Sequence, residues 1–445
     1  MGFTIYQDSD NPTIFRSVKR ETATVNYMLS MDFDNPLGET IFKCNLIDEF
    51  DQEGERFRPL SGQRVRWQAD DGTGTILFDG FIIDPDNEQE GFNEFGAEVL
   101  DYDLYAKDPT WLWEHKITME GTFKNFRPGE LIFLLANACD SRFVQAPDND
   151  LGDVVPDQEL GVKNYKDAIE ELARSACLFV WVDANWCVHV KKWSTIIALS
   201  QEEKFNITDQ NYIYQGLKLK TDTSKLANRV YCIGSKMDAG DINPTNRKAG
   251  VQKSEELIAI VTADLDSINF MRKRIGYEDL VPGTNPDELP TTTEGLFEKA
   301  LNLKDIYDYV TLETIGNAYL DMYKLPLIRG SVSFKESGLM PGRSIYLNSE
   351  TRGITTLLPV IELEVTARGG GFDANNNAVY NYTAYFNGPS AITEMARDID
   401  RPIEKKTKAE IIMKPNPPEL IGHTSKEETR TLNVSGVVIR SNENY

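Results

Sequence analysis

The stretch from 164 to 193 constrains the fold most, because helix, loop and strand signals follow one another there without a gap. Asn164 is placed to cap a helix, and apolar residues recur after it at helical spacing: Ala168, Ile169, Leu172, Ala173 and Ala176. Two β-rich runs follow at 178–182 and 186–190, on either side of a short loop. Because a two-stranded hairpin is only marginally stable alone, it has to bury its apolar face against this helix.

The two runs also predict a hairpin register. One face would hold apolar pairs: Val182 with Trp186, Val180 with Val188, and Leu178 with Val190. The other face would place Phe179 beside His189 and Trp181 beside Cys187. In the loop at 183–185, Asn185 is the residue suited to a positive φ. The segment therefore predicts a small α/β layer.

The first part of the chain, residues 1–105, reads as all β. Short candidate strands separated by turn residues occur at 13–19, 22–29, 40–47, 63–68, 74–83 and 96–104. Strands of this length and spacing predict a barrel or a sandwich. From 106 to 202 the pattern becomes α/β. Pro128 suits a first helical turn, a loop rich in aspartate covers 146–160, and the helix and hairpin described above follow.

A second β domain is expected in two halves, at 203–235 and 327–388. They are separated by a helical and loop-rich insertion at 236–326. In the insertion, Asp264 can cap a helix that Gly276 ends, another helix covers 312–322, and 279–290 reads as a loop. Residues 389–445 read as a linker and arm with a β run at 431–440. The expected class is α+β and β-rich.

The charge balance distinguishes between classes of partner. The chain has 445 residues and a formal net charge of −23. Stable nucleic-acid binding needs clustered Lys and Arg, whereas an acidic surface suits a conduit through which DNA passes without sticking. The N-terminus has no signal-peptide pattern, and no run reaches the ~20 apolar residues of a membrane span. We therefore expect neither export by a signal peptide nor an integral membrane segment.

The residues that most often carry catalysis or bind metals are few and scattered. The five cysteines are Cys44, Cys139, Cys177, Cys187 and Cys232. Their odd number, wide spacing and apolar contexts favour free buried thiols over disulfides or metal ligands. The histidines are His115, His189 and His423. Cys187 and His189 share one face of a strand and could act as thiol and base, but the sequence offers no evident third group to orient them. A packed hairpin face is the favoured interpretation.

Other patterns favour structural interpretations too. The acidic segment 84–91 lacks the glycine and the glutamate of a calcium loop, and Gly72-Thr73-Gly74 reads as a hairpin turn rather than a dinucleotide fingerprint. Most tryptophans, namely Trp111, Trp113, Trp181, Trp186 and Trp193, suit core or interface packing better than sugar platforms. Among 70 acidic residues, a glycosidase pair stays open. We predict no catalytic, cofactor or metal site.

Several short motifs occur in order along residues 1 to about 390. They are Phe78-Asp79-Gly80-Phe81-Ile82, Asp101-Tyr102-Asp103-Leu104 with Lys107-Asp108, Asn228-Arg229-Val230, Asp266-Ser267-Ile268, Gly342-Arg343-Ser344 and Arg352-Gly353-Ile354. Together they resemble the baseplate or tail hub family of long-tailed bacteriophages, which is related to the hubs of contractile injection spikes. The stretch 223–234 matches best, since it is similar to the strand that opens the family's second barrel.

The resemblance implies two tail-tube-like antiparallel β-barrel domains, with α/β domains inserted between and within them. It implies a homotrimeric ring that joins a sixfold tail tube to a threefold tip and encloses the channel for DNA. The expected partners are the tail tube protein, the distal tail ring protein, the tape measure protein and a tip or spike protein. We expect the chain in the tail tip or baseplate of the virion, after synthesis in the host cytoplasm, and not as an enzyme.

Two other functions stay open. The chain could be a tail tip protein that degrades cell-wall glycan or binds carbohydrate, through residues in the insertion or beyond 390. Clearing of peptidoglycan and retention on glycan would identify that function. The chain could also be the hub of a contractile secretion spike, which would share the fold and differ in its genomic context.

Overall fold

The structure is a computed structural model in which two compact units, Met1–Ser390 and Ala391–Tyr445, are distinguished. It describes residues 2–6, 12–16, 22–30, 35–48, 59–69, 74–92, 98–118, 120–153, 155–209, 214–236, 256–304, 306, 308–372, 378–387, 431–434 and 437–440. Within these residues, no helix is long and apolar enough to cross a membrane.

Strands dominate both halves of the first unit. The strands up to the middle of the chain are β1 Gly2–Tyr6, β2 Pro12–Arg16, β3 Thr22–Met28, β4 Glu39–Asp48, β5 Arg64–Gln68, β6 Ile76–Phe92, β7 Glu98–Lys107, β8 Gly121–Phe126, β9 Val144–Gln145, β10 Val155–Leu160, β11 Phe179–Val182 and β12 Cys187–Lys191. The later strands are β13 Ile207–Thr208, β14 Gln215–Asp222, β15 Arg229–Lys236, β16 Glu256–Thr262, β17 Glu298–Asn302, β18 Leu327–Phe334, β19 Ser344–Ser349, β20 Ile354–Phe372 and β21 Ala378–Phe386. The second unit has β22 Thr431–Val434 and β23 Val437–Arg440, which pair as an antiparallel hairpin.

The helices lie between groups of strands. They are α1 Trp111–His115, α2 Pro128–Cys139, α3 Tyr165–Ser175, α4 Trp193–Ala198, α5 Leu265–Arg274 and α6 Tyr309–Tyr323. Short 3₁₀ turns occur at Glu203–Phe205 and Pro286–Glu288. The expected β-rich α+β class is confirmed, and α2, α3, α5 and α6 form where the sequence predicts helices.

One large sheet holds most of the first unit together. It has 13 strands, and its hydrogen-bonded order runs β14-β18-β21-β20-β3-β4-β7-β6-β5-β1-β2, with β13 and β19 joined beside β20. Strand β3 pairs with β20 in antiparallel register from Met28 with Glu362 to Thr22 with Arg368. Apolar side chains from both halves of the chain, such as Phe42 and Phe386, belong to one buried core. Strands from the two expected β domains, 1–105 and 203–235 with 327–388, therefore share one sheet. The division into two barrels stays a prediction.

The helix of the 164–193 segment forms as the sequence indicates. The side chain of Asn164 accepts the N–H of Asp167 and so caps α3. Ala168, Ile169 and Leu172 are fully buried on one side of the helix. They pack in one core with Leu131 and Ile132 of α2, which places α2 and α3 on the same side of the hairpin.

The hairpin register differs from the prediction by two residues. Val182 pairs with Val188 and Val180 with Val190, whereas the prediction paired Val182 with Trp186. A shift of two residues keeps each side chain on its original face, so the apolar face survives. The other face pairs Trp181 with His189 rather than with Cys187.

The turn explains this shift. Asp183 Oδ1 accepts the N–H groups of Asn185 and Cys187 at 2.8 and 3.0 Å, and the Asp183 N–H donates to the Cys187 carbonyl. These bonds close a loop over 183–186, one residue longer than predicted. The positive φ falls on Trp186, at 63°, and not on Asn185. The prediction of a positive-φ asparagine is therefore wrong.

Two segments expected as loops are strands. Strand β6 continues through the acidic segment 84–91 and pairs with β7 along its length, with register shifts near Ile82 and Gln89. Within 146–160, residues Val155–Leu160 form β10, which pairs with β8. A calcium loop at 84–91 is thus excluded by the extended backbone. Strand β1 was not predicted, and Gly72 and Thr73 lie outside the described residues, as does His423.

The insertion carries a sheet of its own. Strand β15 pairs antiparallel with β16 and parallel with β17, and α6 packs against β15 and β16. The sequence assigned 228–233 to the second β domain, whereas hydrogen bonding joins this strand to the insertion; β14 is the strand that enters the large sheet. Asp264 caps α5 by accepting the Ser267 N–H, and Gly276 follows it with a φ of 91°, as predicted.

Candidate functional site: the joint around the hairpin

The hairpin β11–β12 buries its valine face completely, and its strand β11 is buried on both faces. Its valine face, made by Val180, Val182, Val188 and Val190, packs in one core with α2 and α3. The opposite face carries Phe179 and Trp181 into a second core, which holds α6 and the inner face of the β15–β16 pair. A two-stranded element packed on both faces can hold two parts of the chain in a fixed orientation. Close-packed side chains cannot shift without losing contacts.

We call the packing of the β11–β12 hairpin between these two cores the joint. Trp181 is tightly enclosed there. A Cβ added at Gly342 would lie 2.6 and 2.7 Å from the ring atoms Cζ2 and Cη2 of Trp181. A Cβ added at Gly38 would lie 2.9 Å from its Cβ and 2.6 Å from the Met28 carbonyl. Gly38 also donates its N–H to the Val180 carbonyl at 2.7 Å. Glycine at both positions thus lets the backbone approach Trp181 closely, at its Cβ from Gly38 and at its indole from Gly342.

Trp186 forms a second contact of the hairpin with the large sheet. The guanidinium carbons of Arg64 and Arg142 lie 5.3 and 4.0 Å from its ring centroid. Arg64, on β5, binds both carboxylate oxygens of the buried Asp79 at 2.7 Å. These contacts compensate for the strain of a tryptophan at positive φ, since they fix the ring from both the sheet and the α/β part.

A polar cluster lies at the turn of the hairpin. His189 Nε2 lies 3.1 Å from Asp183 Oδ2, and the imidazole stacks on Trp181 with ring planes 8° apart and centroids 5.0 Å apart. One donor atom from each of Asp183, Cys187 and His189 lies within 4.8 Å of the others. The structure therefore supplies the third group that the sequence did not reveal. The signal was present as an Asp four residues before Cys187 and six before His189.

The cluster is not arranged as an activated thiol. Burial, with Asp183 and Asp148 nearby, raises the pKa of the Cys187 thiol to about 11. A nucleophilic cysteine needs a lowered pKa, because the thiolate is the reactive form. All five cysteines are free, and burial likewise raises the pKa of Cys139, Cys177 and Cys232 to about 11 or 12. The geometry therefore gives no support to hydrolysis by a cysteine nucleophile.

The tryptophans do not offer sugar platforms. All six lie in the described residues, and Trp113, Trp181, Trp186 and Trp193 are at most 6% exposed. Trp111 is half-buried and packs between Phe81 and His115, with centroids 5.2 and 4.2 Å away. A platform for a sugar ring needs an open indole face, and these rings are covered by protein.

An open apolar face lies on the sheet of the insertion. Ile258 and Ile260 of β16 are 47% and 48% exposed, and they stand opposite the half-buried Ile233 and Tyr231 of β15. The other face of the same strands is buried by α6. Adjacent exposed isoleucines on one face of a sheet are typical of an interaction surface.

The fold is similar to that of solved phage tail proteins. The 43 kDa tail protein of prophage MuSo2 from Shewanella oneidensis aligns with a TM-score of 0.54 at 8% identity, over 87% of this chain and 98% of that one. The tail protein from Neisseria meningitidis MC58 aligns with a TM-score of 0.51 at 11% identity, over 86% and 97%. No protein-family model and no curated protein matches the chain. At these identities the likeness concerns the fold, and at that level the expected resemblance to tail proteins is confirmed.

Proposed function

We propose that this chain is a structural subunit of a bacteriophage tail, namely the hub of a tail tip or baseplate. The observation that carries the proposal is that nearly the whole length of two solved tail proteins aligns with 86–87% of this chain. In this proposal three copies close into a ring that joins the sixfold tail tube to the threefold tip. The mechanism is geometric: rigid joints hold the ring open as a channel for the tape measure protein and DNA.

The joint around the hairpin suits that task. A ring subunit has to keep its parts in fixed orientation while DNA passes, and Trp181 and Trp186 fix the hairpin between packed elements. The net charge of −23 supports passage without binding, since an acidic subunit repels phosphate. The tube protein, the distal ring protein and a tip or spike protein are the proposed neighbours, and the virion tail is the proposed location.

The open face of the insertion sheet is the proposed contact between copies. Because each copy carries a net charge of −23, copies repel one another, and a stable contact is favoured at an apolar patch whose acidic neighbours are paired. The Ile258 and Ile260 face fits, since Ala300 and Asn302 on the same sheet are neutral and the nearby Glu298 lies 3.5 Å from the guanidinium of Arg229. The expected occupant is therefore a second copy of this chain.

Light scattering coupled to size-exclusion chromatography tests the assembly. We expect a mass three times the 50.3 kDa of one chain, persisting on dilution, because obligate interfaces bury about 2,000 Å² or more. Images of the isolated particles should show a ring with a central opening. A stable monomer at high concentration would overturn the proposal. Clearing of peptidoglycan by the purified chain would favour a glycan-degrading function instead.

A further inference from the structure

We propose that Asp183, Cys187 and His189 form a binding site for a zinc-like divalent transition-metal ion at the turn of the hairpin. The three donor atoms come from one turn and one strand and lie within 4.8 Å of one another. In the described part of the chain, no other group of His, Cys, Asp and Glu side chains converges in this way. The site revises the sequence-based expectation that the cysteines are not metal ligands.

The spacing of the donors suits a tetrahedral ion. Ligand bonds of about 2.0–2.2 Å to nitrogen and oxygen separate the two atoms by about 3.3 Å at a tetrahedral angle. The observed separation of His189 Nε2 and Asp183 Oδ2 is 3.1 Å. Cys187 and His189 are two residues apart on β12, so their side chains lie on the same side of the strand and can converge on one ion.

The orientation of the donors is fixed by contacts that a metal would not disturb. Asp183 uses Oδ1 to accept the N–H groups of Asn185 and Cys187, which leaves Oδ2 directed at His189. The His189 ring lies flat on Trp181, which fixes its plane. Metal sites depend on such outer contacts, because they hold the ligands in place before the ion arrives.

The donor set selects the class of ion. Thiolate and imidazole ligands favour zinc and similar transition metals, whereas calcium and magnesium prefer oxygen ligands alone. Coordination requires Cys187 to lose its proton to solvent, and the positive charge of the ion favours that loss against the nearby carboxylate of Asp183. The side chains of His189 and Asp183 are 21% and 34% exposed, so solvent can supply a fourth ligand.

The position gives the ion a structural role. His189 stacks on Trp181, and Trp181 fits between Gly38 and Gly342 at the joint. A bound ion would fix the turn, the imidazole and, through stacking, the indole. We expect the ion to strengthen the joint rather than to support catalysis. This proposal does not depend on the assembly proposed above.

Cobalt substitution gives a direct test on the purified full-length chain without an affinity tag. After treatment with a chelator, one equivalent of Co²⁺ should give the visible bands of a tetrahedral ion and a thiolate-to-cobalt charge-transfer band. Adding Zn²⁺ should remove both by displacement. We also expect Zn²⁺ at about a hundredfold excess over its Kd to raise Tm by roughly 3 °C. A cobalt spectrum without the thiolate band would overturn the proposal, as would binding only at millimolar concentration.

Variants assign the ligands. Cys187→Ser should abolish the charge-transfer band, and His189→Gln should weaken Co²⁺ binding by at least about tenfold. Asp183→Asn keeps an oxygen that can cap the turn, so it tests the charged ligand with the least disturbance of folding. Its binding should also fall by about tenfold or more. The controls His115→Gln and Cys139→Ala alter the same residue types elsewhere and should bind as the original chain does. Wild-type affinity in Asp183→Asn would overturn the three-ligand site.

Discussion

The chain contains two small sheets of the same construction, and they are used in opposite ways. In the first, β12 pairs antiparallel with β11 and parallel with β9; in the second, β15 pairs antiparallel with β16 and parallel with β17. Helices cover one face of each. The hairpin of the first buries its other face inside the chain, whereas the second leaves Ile258 and Ile260 exposed.

The difference shows that strand pairing does not by itself determine what a sheet does. Both hairpins have a complete apolar face against helices, so each gains the burial it needs to be stable. What differs is the second face. Trp181 makes it part of an internal joint in the first sheet, and isoleucines make it an available surface in the second. Substitutions that change one face at a time should therefore have different effects in the two sheets.

Among the substitutions that leave the chain able to fold, Trp181→Ala should have the largest effect on stability. Removing the indole leaves a cavity beside Gly342, and we expect the free energy of unfolding to fall by about 3–5 kcal/mol. Urea unfolding followed by far-UV circular dichroism measures the loss. Trp111→Ala is the control, since this ring is only half-buried and should cost less. Equal losses in the two variants would contradict the special position of Trp181.

Gly342→Ala should destabilise the chain by about 2–4 kcal/mol, because its Cβ would overlap the Trp181 ring and its φ is 75°. Gly353→Ala is a matched control. Its φ is 63°, but no atom of the described residues lies within 4 Å of its added Cβ, so it should cost only about 1 kcal/mol. The difference between the two values isolates the contact with Trp181. Thermal unfolding of both variants gives that difference, and its absence would remove the evidence for a tight joint.

The sequence predicts those parts of this contrast that depend on local chemistry. The caps Asn164 and Asp264, and the stop at Gly276, could be read from residue type and spacing, because each acts on backbone within a few residues. The register of the hairpin could not. It depends on Trp186 taking a positive φ, which is costly for a bulky residue and becomes acceptable only when Arg64 and Arg142 hold the ring.

Long-range pairing accounts for the other differences. Strand β6 continues through Pro85 and several acids, which locally favour a loop, because β7 pairs with it along its length. The pairing of β3 with β20 joins residues more than 300 positions apart, and no spacing in the sequence reports it. The polar cluster of Asp183, Cys187 and His189 could be predicted only in part. Cys187 and His189 were visible as neighbours on a strand, but the orientation of Asp183 toward them follows from the turn geometry.

The helix caps Asp264 of α5 and Asn164 of α3 should respond differently to pH. Burial tends to raise the pKa of Asp264, but hydrogen bonds from Lys324 and from the Ser267 N–H outweigh it and lower that pKa to about 2. A lowered pKa in the folded state stabilises the chain above the unfolded value near 4, and the contribution is lost as the pH falls from about 4 to 2. Asp264→Asn should therefore lower the free energy of unfolding by less than about 1 kcal/mol at pH 6, since the Asp264–Lys324 pair is largely exposed. The loss should become progressively smaller below pH 4.

Asn164 is the matched control, because its amide caps α3 without a titrating group. Asn164→Ala should cost about 1 kcal/mol at every pH from 3 to 6. Urea titrations at several pH values give both differences against the original chain. A loss in Asp264→Asn that stays constant down to pH 2.5 would contradict the assigned pKa.

Substitutions on the exposed isoleucine face should cause the smallest change in the free energy of unfolding and a large change in assembly. Ile258→Lys with Ile260→Lys places two charges on a surface already in water, so unfolding of the dilute chain should change by less than about 0.5 kcal/mol. The same charges would be buried in a contact between copies, so the mass in light scattering should fall from three chains to one. Val162→Lys, at a residue 69% exposed in the α/β part, should leave the mass unchanged.

Val188→Lys completes the contrast, because the corresponding apolar face of the first sheet is fully buried against α2 and α3. An unpaired lysine there has no water to solvate it, and we expect the chain not to fold. If Ile258→Lys with Ile260→Lys instead destabilised the dilute chain as strongly, its face would be packed by this chain itself. The two sheets would then serve the same internal purpose, and the contact between copies would have to lie elsewhere.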